Sequence, residues 1–260
     1  VDAAENDLDA FRKVIDELAA DKAGQKTRRR ACQAFADALS KTGLMLWMMG
    51  SYLGADRVSG ASPFDFGDDE AVGIATVAQI GGELGAGAIV LLTANNRYAA
   101  AALTRQLVEV EYLAAAFAEE NEIAADWLRS DRKRRQQFWS PKHLRKRSNG
   151  TFLNSDYWSH CDMGGHPSTD GMVLLPGHQD APLALSWADL AGHLLGIWKS
   201  VLRATERVLD GPVPPEWKIP DVPAVVARWE EKDGLTAALR AMHQIKRDDP
   251  DAFDFSKPGS

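Results

Sequence analysis

The sequence predicts an all-α fold, with about seven helices packed as a bundle around one long central helix. Three observations predict it. Apolar residues recur at helical spacing along most of the chain. Helix start and stop signals cut the chain into pieces of helical length. No alternating strand pattern of useful length appears anywhere.

From the N-terminus, Glu5 to Lys22 places Leu8, Phe11, Val14, Ile15, Leu18 and Ala19 at helical spacing, with Gly24 as the stop. Thr27 to about Tyr52 reads as a longer helix that ends in the apolar run Leu44 to Met49. Gly54 to Gly67 reads as a loop. Asp68, Asp69 and Glu70 then put negative charge where a helix N-terminus favours it.

The segment Ala71 to Ala94 has the length of a membrane span but not the flanks, since it holds five glycines and runs into Asn95-Asn96-Arg97. It is expected to be a buried core helix outside any membrane. Gly81-Gly82 leaves open a break within it.

Ala88 to Arg129 is expected to be the single central helix. In its middle, Arg97, Tyr98, Thr104, Arg105, Glu109, Glu111 and Tyr112 fall within an arc of roughly 160° at about 100° per residue. Leu103, Leu107, Val110, Leu113, Ala114 and Phe117 take the other side. Ser140-Pro141 has the form of a helix start, so two helical pieces meet at Phe138-Trp139.

Thr151 to Cys161 reads as a helix closed by Gly164-Gly165 and Pro167. Ser168 to Pro182 reads as loop, with Met172 to Leu175 extended. Ser186 to Asp189 resembles a capping box that opens the next helix. Residues 1–210 therefore form a helical domain. The five prolines between Gly211 and Pro223 make a stiff connector. Residues 224–247 form a last helix interrupted near Gly234, and 248–260 an acidic, disordered tail.

Charge and composition narrow the function. The chain has 260 residues, 45% hydrophobic and 26% charged, with net charge −7, the balance of an ordinary soluble protein. That net charge argues against wholesale nucleic-acid binding. Arg129 to Arg147 departs from it: nine Lys or Arg against one acid give +8 and leave −15 on the remainder. Only Cys32 and Cys161 are present, so no disulfide framework is expected and a cytoplasmic location is the default.

Three stretches can carry chemistry. On the central stripe, Arg105 and Glu109 are i,i+4 partners, Tyr112 lies a turn beyond, and Arg97 two turns before. If other helices cover that face, its charges must be paired, and the cluster becomes a site for an anion or polar substrate. A structural ion pair or a solvated face is the plain reading. Around the glycines, His160, Cys161 and His166 lie close together, with His178 further on. With Glu109 or Glu111 they could ligate zinc, but neither CxxC nor HExxH spacing occurs, and no metal is expected. In the basic segment, Arg134, Arg135, Trp139 and His143 are candidates to bind phosphates and stack bases, against the plain reading of a solvated helix surface.

At NNRYAAAALTRQLVEVEYLAAAF and YWSHCDMGGHPS the chain resembles a group of bacterial all-helical proteins of unknown function. That group is itself similar in architecture to the HEPN helical domains of toxin and phage-defence systems. The resemblance covers about Ala71 to Asp210 and points to Arg97, Arg105, Glu109, His160 and His166-Pro167. It departs at one place: HEPN ribonucleases carry Arg followed by His after four to six residues, and no Arg here is so placed.

Two functions are expected. One is a regulatory or defence-related domain that binds a nucleotide or nucleic acid, with a homodimer left open. The alternative is a hydrolase-type enzyme with a polar site of Arg97, Arg105, Glu109, Tyr112, His160 and His166. No cofactor is assigned.

Overall fold

A computed structural model describes residues 12–53, 68–178, 182–214, 217 and 222–248. The expected loop 54–67, the tail 249–260 and much of the Pro-rich connector lie outside the described residues.

The described chain is all-α, with no strand among the described residues. It holds eleven α-helical segments where about seven are expected from the sequence. The described part of α1 covers residues 12–20. There follow α2 (Lys22–Met48), α3 (Asp69–Thr93), α4 (Arg97–Glu119), α5 (Ile123–Arg129), α6 (Arg132–Phe138) and α7 (Pro141–Arg147). Then come α8 (Asn154–His160), α9 (Leu183–Val208), α10 (Val222–Lys232) and α11 (Gly234–Asp248). A π-helical turn, Cys161–Gly165, continues α8, and a 3-10 turn spans Asp170–Leu174.

Side-chain caps set several of the boundaries. Asp21 accepts from the backbone N–H groups of Ala23 and Gly24 at 3.1 and 2.8 Å and so starts α2. The break falls there, before Gly24, which lies inside α2. Asp68 accepts from Glu70 and Ala71 and starts α3, as its charge predicts. Gly81-Gly82 does not break α3. A Cβ on Gly82 would overlap the Ser40 hydroxyl of α2, so the missing side chain is what lets the two helices close.

The single central helix expected over Ala88–Arg129 is three helices. Asn95 adopts φ 56°, the left-handed region that asparagine tolerates, and Asn96 accepts from Ala99 N–H to restart the chain as α4. Glu122, at φ 63°, makes the second break. The stretch Met172–Leu175, expected to be extended within its loop, lies instead largely in the 3-10 turn. α9 starts at Leu183 behind Pro182, so Ser186 lies within the helix rather than at its cap.

The four long helices α2, α3, α4 and α9 pack in a ring, α2 on α3, α3 on α4, α4 on α9 and α9 on α2, with α3 also touching α9. Phe35, Leu39, Ile74, Leu107, Leu190 and Leu194 are fully enclosed between them. Burial of each such side chain contributes about 1.5–3 kcal/mol. α3 is the one described helix long and apolar enough to cross a bilayer. Half of its residues are buried against its neighbours.

Short helices close the remaining faces. α5 is tied to the start of α3 by Glu70, which accepts from Ala125 N–H at 2.8 Å, and by an Arg129–Asp69 ion pair at 2.6 Å. α10 lies on α2, where the fully buried Arg28 meets Asp233. α8 and the π turn lie on α4, and this layer covers the polar stripe.

Candidate functional site

The polar stripe of α4 is largely covered. Arg97, Thr104 and Tyr112 are buried, and Arg105, Glu109 and Glu111 are half-buried. Two separate groups form on it.

The first is a knot around Arg105. Its guanidinium meets Glu109 at 2.8 Å, the Tyr157 hydroxyl at 2.7 Å and the Cys161 sulfur at 3.2 Å. Arg145 of α7 also lies over the Tyr157 ring, 3.8 Å from its centroid. These contacts bind α7, α8 and the π turn to α4. Gly164 packs against the Ala101 backbone, where a Cβ would stand 2.7 Å away, and this close approach seats the π turn.

The second group lies further along α4, at Glu111, and brings in two histidines. His193 of α9 is 2.6 Å through Nδ1 from a Glu111 carboxylate oxygen. His160, at the end of α8, is 2.9 Å through Nδ1 from the Asp156 carbonyl oxygen. Each Nδ1 thus faces an acceptor and carries the ring hydrogen. The two Nε2 atoms face each other at 3.2 Å. Asp189 of α9 closes the group: its Oδ1 is 3.3 Å from His160 Nε2 and 3.4 Å from His193 Nε2.

Glu111 reaches His193 only because α9 has glycine at 196. A Cβ there would overlap the Glu111 carboxylate. Gly192, one turn earlier, lines the adjoining cleft.

The charges are strongly coupled. Burial disfavours the His193 imidazolium, but hydrogen bonds and charge from Asp189 and Glu111 carry its pKa well above the ordinary histidine value. For His160, burial again opposes, and the Asp189 carboxylate raises it. Burial would push the Asp189 carboxyl up, but the two histidines hold it far below the usual carboxylate range. The site therefore concentrates negative potential on a point between two imidazoles, and a proton or a cation belongs there.

Two clefts open on the group. One, of about 600 Å³, is lined by Glu111, Asp189 and His193 together with Phe152, Leu239 and Arg240. The other, of about 280 Å³, is lined by His160, Asp156, Ser159 and the apolar Leu92, Met163 and Leu174. Asp156, His160 and His193 each offer one ligand atom, and these lie within 4.8 Å of one another.

The remaining expected site residues fall elsewhere. Arg97 starts α4, fourteen residues and so about 21 Å along the helix from Glu111. His166 is exposed behind the π turn, and its carbonyl accepts from the Tyr98 hydroxyl at 3.3 Å. Glu109 belongs to the Arg105 knot. Tyr112 is enclosed against Phe152, where burial pushes its phenol up.

In the basic segment, Arg134 pairs with Asp126 at 2.7 Å and lies over Phe138, while Arg135 donates to the Ser130 carbonyl. His143 is exposed and meets the Ser140 hydroxyl at 2.7 Å. Trp139 is only 6% exposed and packs edge-on against Phe117, so its ring face does not meet solvent.

Asp189 and His193 are the members that sequence reasoning passed over, and Glu111 is placed there on the polar stripe and as an alternative zinc ligand but not among the site residues. One signal for them was present: Asp156–His160 and Asp189–His193 repeat the same Asp-x-x-x-His spacing on two helices.

No known protein family, curated protein or solved structure matches this chain.

Proposed function

We propose that the protein is a hydrolase-type enzyme built on a helical bundle of α2, α3, α4 and α9, with His160, His193, Asp189 and Glu111 as its centre. One observation carries this reading. Two ring nitrogens and a carboxylate oxygen converge on a single point in the wall of a cleft of about 600 Å³. Convergent polar atoms in a cleft large enough for a small molecule are the arrangement that hydrolytic chemistry needs.

The substrate expected is a small anion. Arg240 lines the same cleft, its guanidinium half-exposed and 3.4 Å from the Glu230 carboxylate. Its guanidinium lies over the Trp229 ring, 4.8 Å from the centroid, which orients it. The side chain of Asp189 is 42% exposed, so water and substrate can reach the convergent point. In the reaction, water attacks a carbonyl or phosphoryl centre, and the leaving group departs with the proton that the water gives up.

The test is hydrolysis of phosphomonoester, phosphodiester, carboxylic ester and amide probes that carry negative charge. Turnover of one class is expected, lost at least 100-fold in His193→Ala and weakened in KM by Arg240→Ala. Turnover of none of them, or activity that survives His193→Ala, overturns the reading.

A second reading keeps the nucleic-acid expectation. Its support is that Arg132, Lys133, Lys142 and Lys146 on α6 and α7 are exposed and enter no ion pair among the described residues. The likeness to HEPN-type domains points the same way. A regulatory or defence role would then rest on that surface rather than on the histidines.

A further inference from the structure

The geometry points to a divalent transition-metal site, with His160 Nε2, His193 Nε2 and Asp189 Oδ1 as its three protein ligands. The inference deepens the proposed centre by naming its cofactor. It rests on that reading only for what the metal does, because the binding itself can be measured without any substrate.

The tautomers of the two histidines favour a bound cation. Glu111 carboxylate and Asp156 carbonyl oxygens can only accept hydrogen bonds from a ring N–H. Both hydrogens of the neutral imidazoles therefore sit on Nδ1, and both Nε2 lone pairs point into the same space. Beside them lies a carboxylate oxygen. Three lone pairs cannot share that space without a positive occupant.

The spacing of the three atoms suits a metal ion. The three atoms form a triangle with sides of 3.2, 3.3 and 3.4 Å. Ligands about 2.0–2.1 Å from a tetrahedral metal stand about 3.3–3.4 Å apart. The ring positions give an independent check. The imidazole centroids are 4.9 Å apart and the rings are inclined at 75°. With metal–nitrogen lengths of about 2.1 Å and ring atoms about 1.15 Å from each centroid, both the 4.9 Å and the 3.2 Å separations correspond to a nitrogen–metal–nitrogen angle of about 100°. The two rings thus radiate from one centre.

Neighbouring groups hold the ligands in place. A carboxylate–histidine–metal series runs from Glu111 through His193, and a carbonyl orients His160 in the same way. The ligands come from two helices, α8 and α9, and the orienting carboxylate from a third, α4, with Gly196 making room for it. Two nitrogens and one oxygen select zinc, cobalt or iron over calcium and magnesium, which take oxygen ligands. Three protein ligands leave the fourth position to a water facing the clefts, and the metal would lower that water's pKa toward neutrality.

The test uses the full chain, stripped with a chelator and titrated with Co²⁺ and then Zn²⁺. Binding of one Co²⁺ per chain with the intense visible absorption of a four-coordinate ion, displaced by Zn²⁺, is expected. Zn²⁺ should also raise Tm. His193→Ala and Asp189→Asn should each weaken Zn²⁺ binding at least 100-fold. Glu111→Gln, which keeps an acceptor for Nδ1, should weaken it about 10-fold to 100-fold at unchanged stoichiometry. No binding to a folded wild-type chain would show that only a proton bridges the rings, and that overturns the inference. Equal affinity in wild type and the His160→Ala/His193→Ala double variant overturns it too. Metal binding without turnover of any probe would instead remove the hydrolase reading and leave the metal site standing.

Discussion

Replacing Asp233 by asparagine removes one charge from an ion pair whose two side chains are each 1% exposed. Arg28 is fully buried, and its Nε and Nη2 donate to the two Asp233 oxygens at 2.8 and 2.5 Å. The same carboxylate accepts from Trp229 Nε1 at 2.6 Å and from the Thr236 hydroxyl at 2.5 Å. Asp233→Asn keeps the shape but leaves the guanidinium without a counter-charge, and its amide hydrogens face donors. Removing one partner of a buried pair costs about 3–5 kcal/mol. At about 2–4 °C per kcal/mol for a chain of this size, Tm should fall by about 6–20 °C.

Thermal and urea unfolding at pH 7 measure it. The double variant Arg28→Met/Asp233→Leu should recover most of the loss, because it removes both desolvation penalties. The pH dependence has a definite sign. Burial alone would raise the Asp233 carboxyl, but Arg28, Thr236 and Trp229 hold it below its ordinary value. A carboxyl depressed in the folded state stabilises above its unfolded pKa of about 3.9 and loses that stabilisation as pH falls through the folded value. The gap between wild type and Asp233→Asn should therefore be full at pH 7 and shrink below about pH 4. A Tm change under about 2 °C at pH 7 would refute the account of this pair, as would a double variant no more stable than the single.

Other outcomes follow from the same packing. Gly73→Ala would put a Cβ 2.5 Å from the Ala124 carbonyl oxygen, so it should cost about 1–3 kcal/mol in urea unfolding and push α5 off α3. Gly196→Ala should leave far-UV circular dichroism unchanged while displacing Glu111, seen as a shift of the His193 ring resonances; unshifted resonances would mean that Glu111 does not orient the ring. Arg105→Ala breaks bonds to Glu109, Tyr157 and Cys161 and should cost about 1–3 kcal/mol, with faster amide exchange in α8 as the signature. For the basic surface, Lys133→Ala/Lys142→Ala should weaken RNA retention in an electrophoretic titration and flatten its salt dependence, and Trp139→Phe should not; a flat titration of the wild type sets that surface aside.

Much of the helical pattern was local and hence readable. Asp68 marks a helix start because its side chain accepts from N–H groups two and three residues on, and Pro141 marks another because its fixed φ suits the first helical turn. The breaks inside the expected central helix were readable by the same rule. Asn95-Asn96 carries both a left-handed residue and a cap, but the strong apolar pattern on either side masks it. The repeated Asp-x-x-x-His spacing was also on view in the chain.

What one dimension could not supply was which face meets which. Periodicity marks the stripe of α4 as polar, yet only packing divides it, giving Glu109 to Arg105 and Glu111 to His193, the last two eighty-two positions apart in sequence. By itself the sequence determined the helical class, the apolar faces and the basic segment, because each follows from neighbours within a turn or two. The tertiary structure alone decided that α4, α8 and α9 bring their histidines and carboxylates to one point. Contacts across such separations depend on how whole helices pack, and small residues such as Gly196 set how closely they do so.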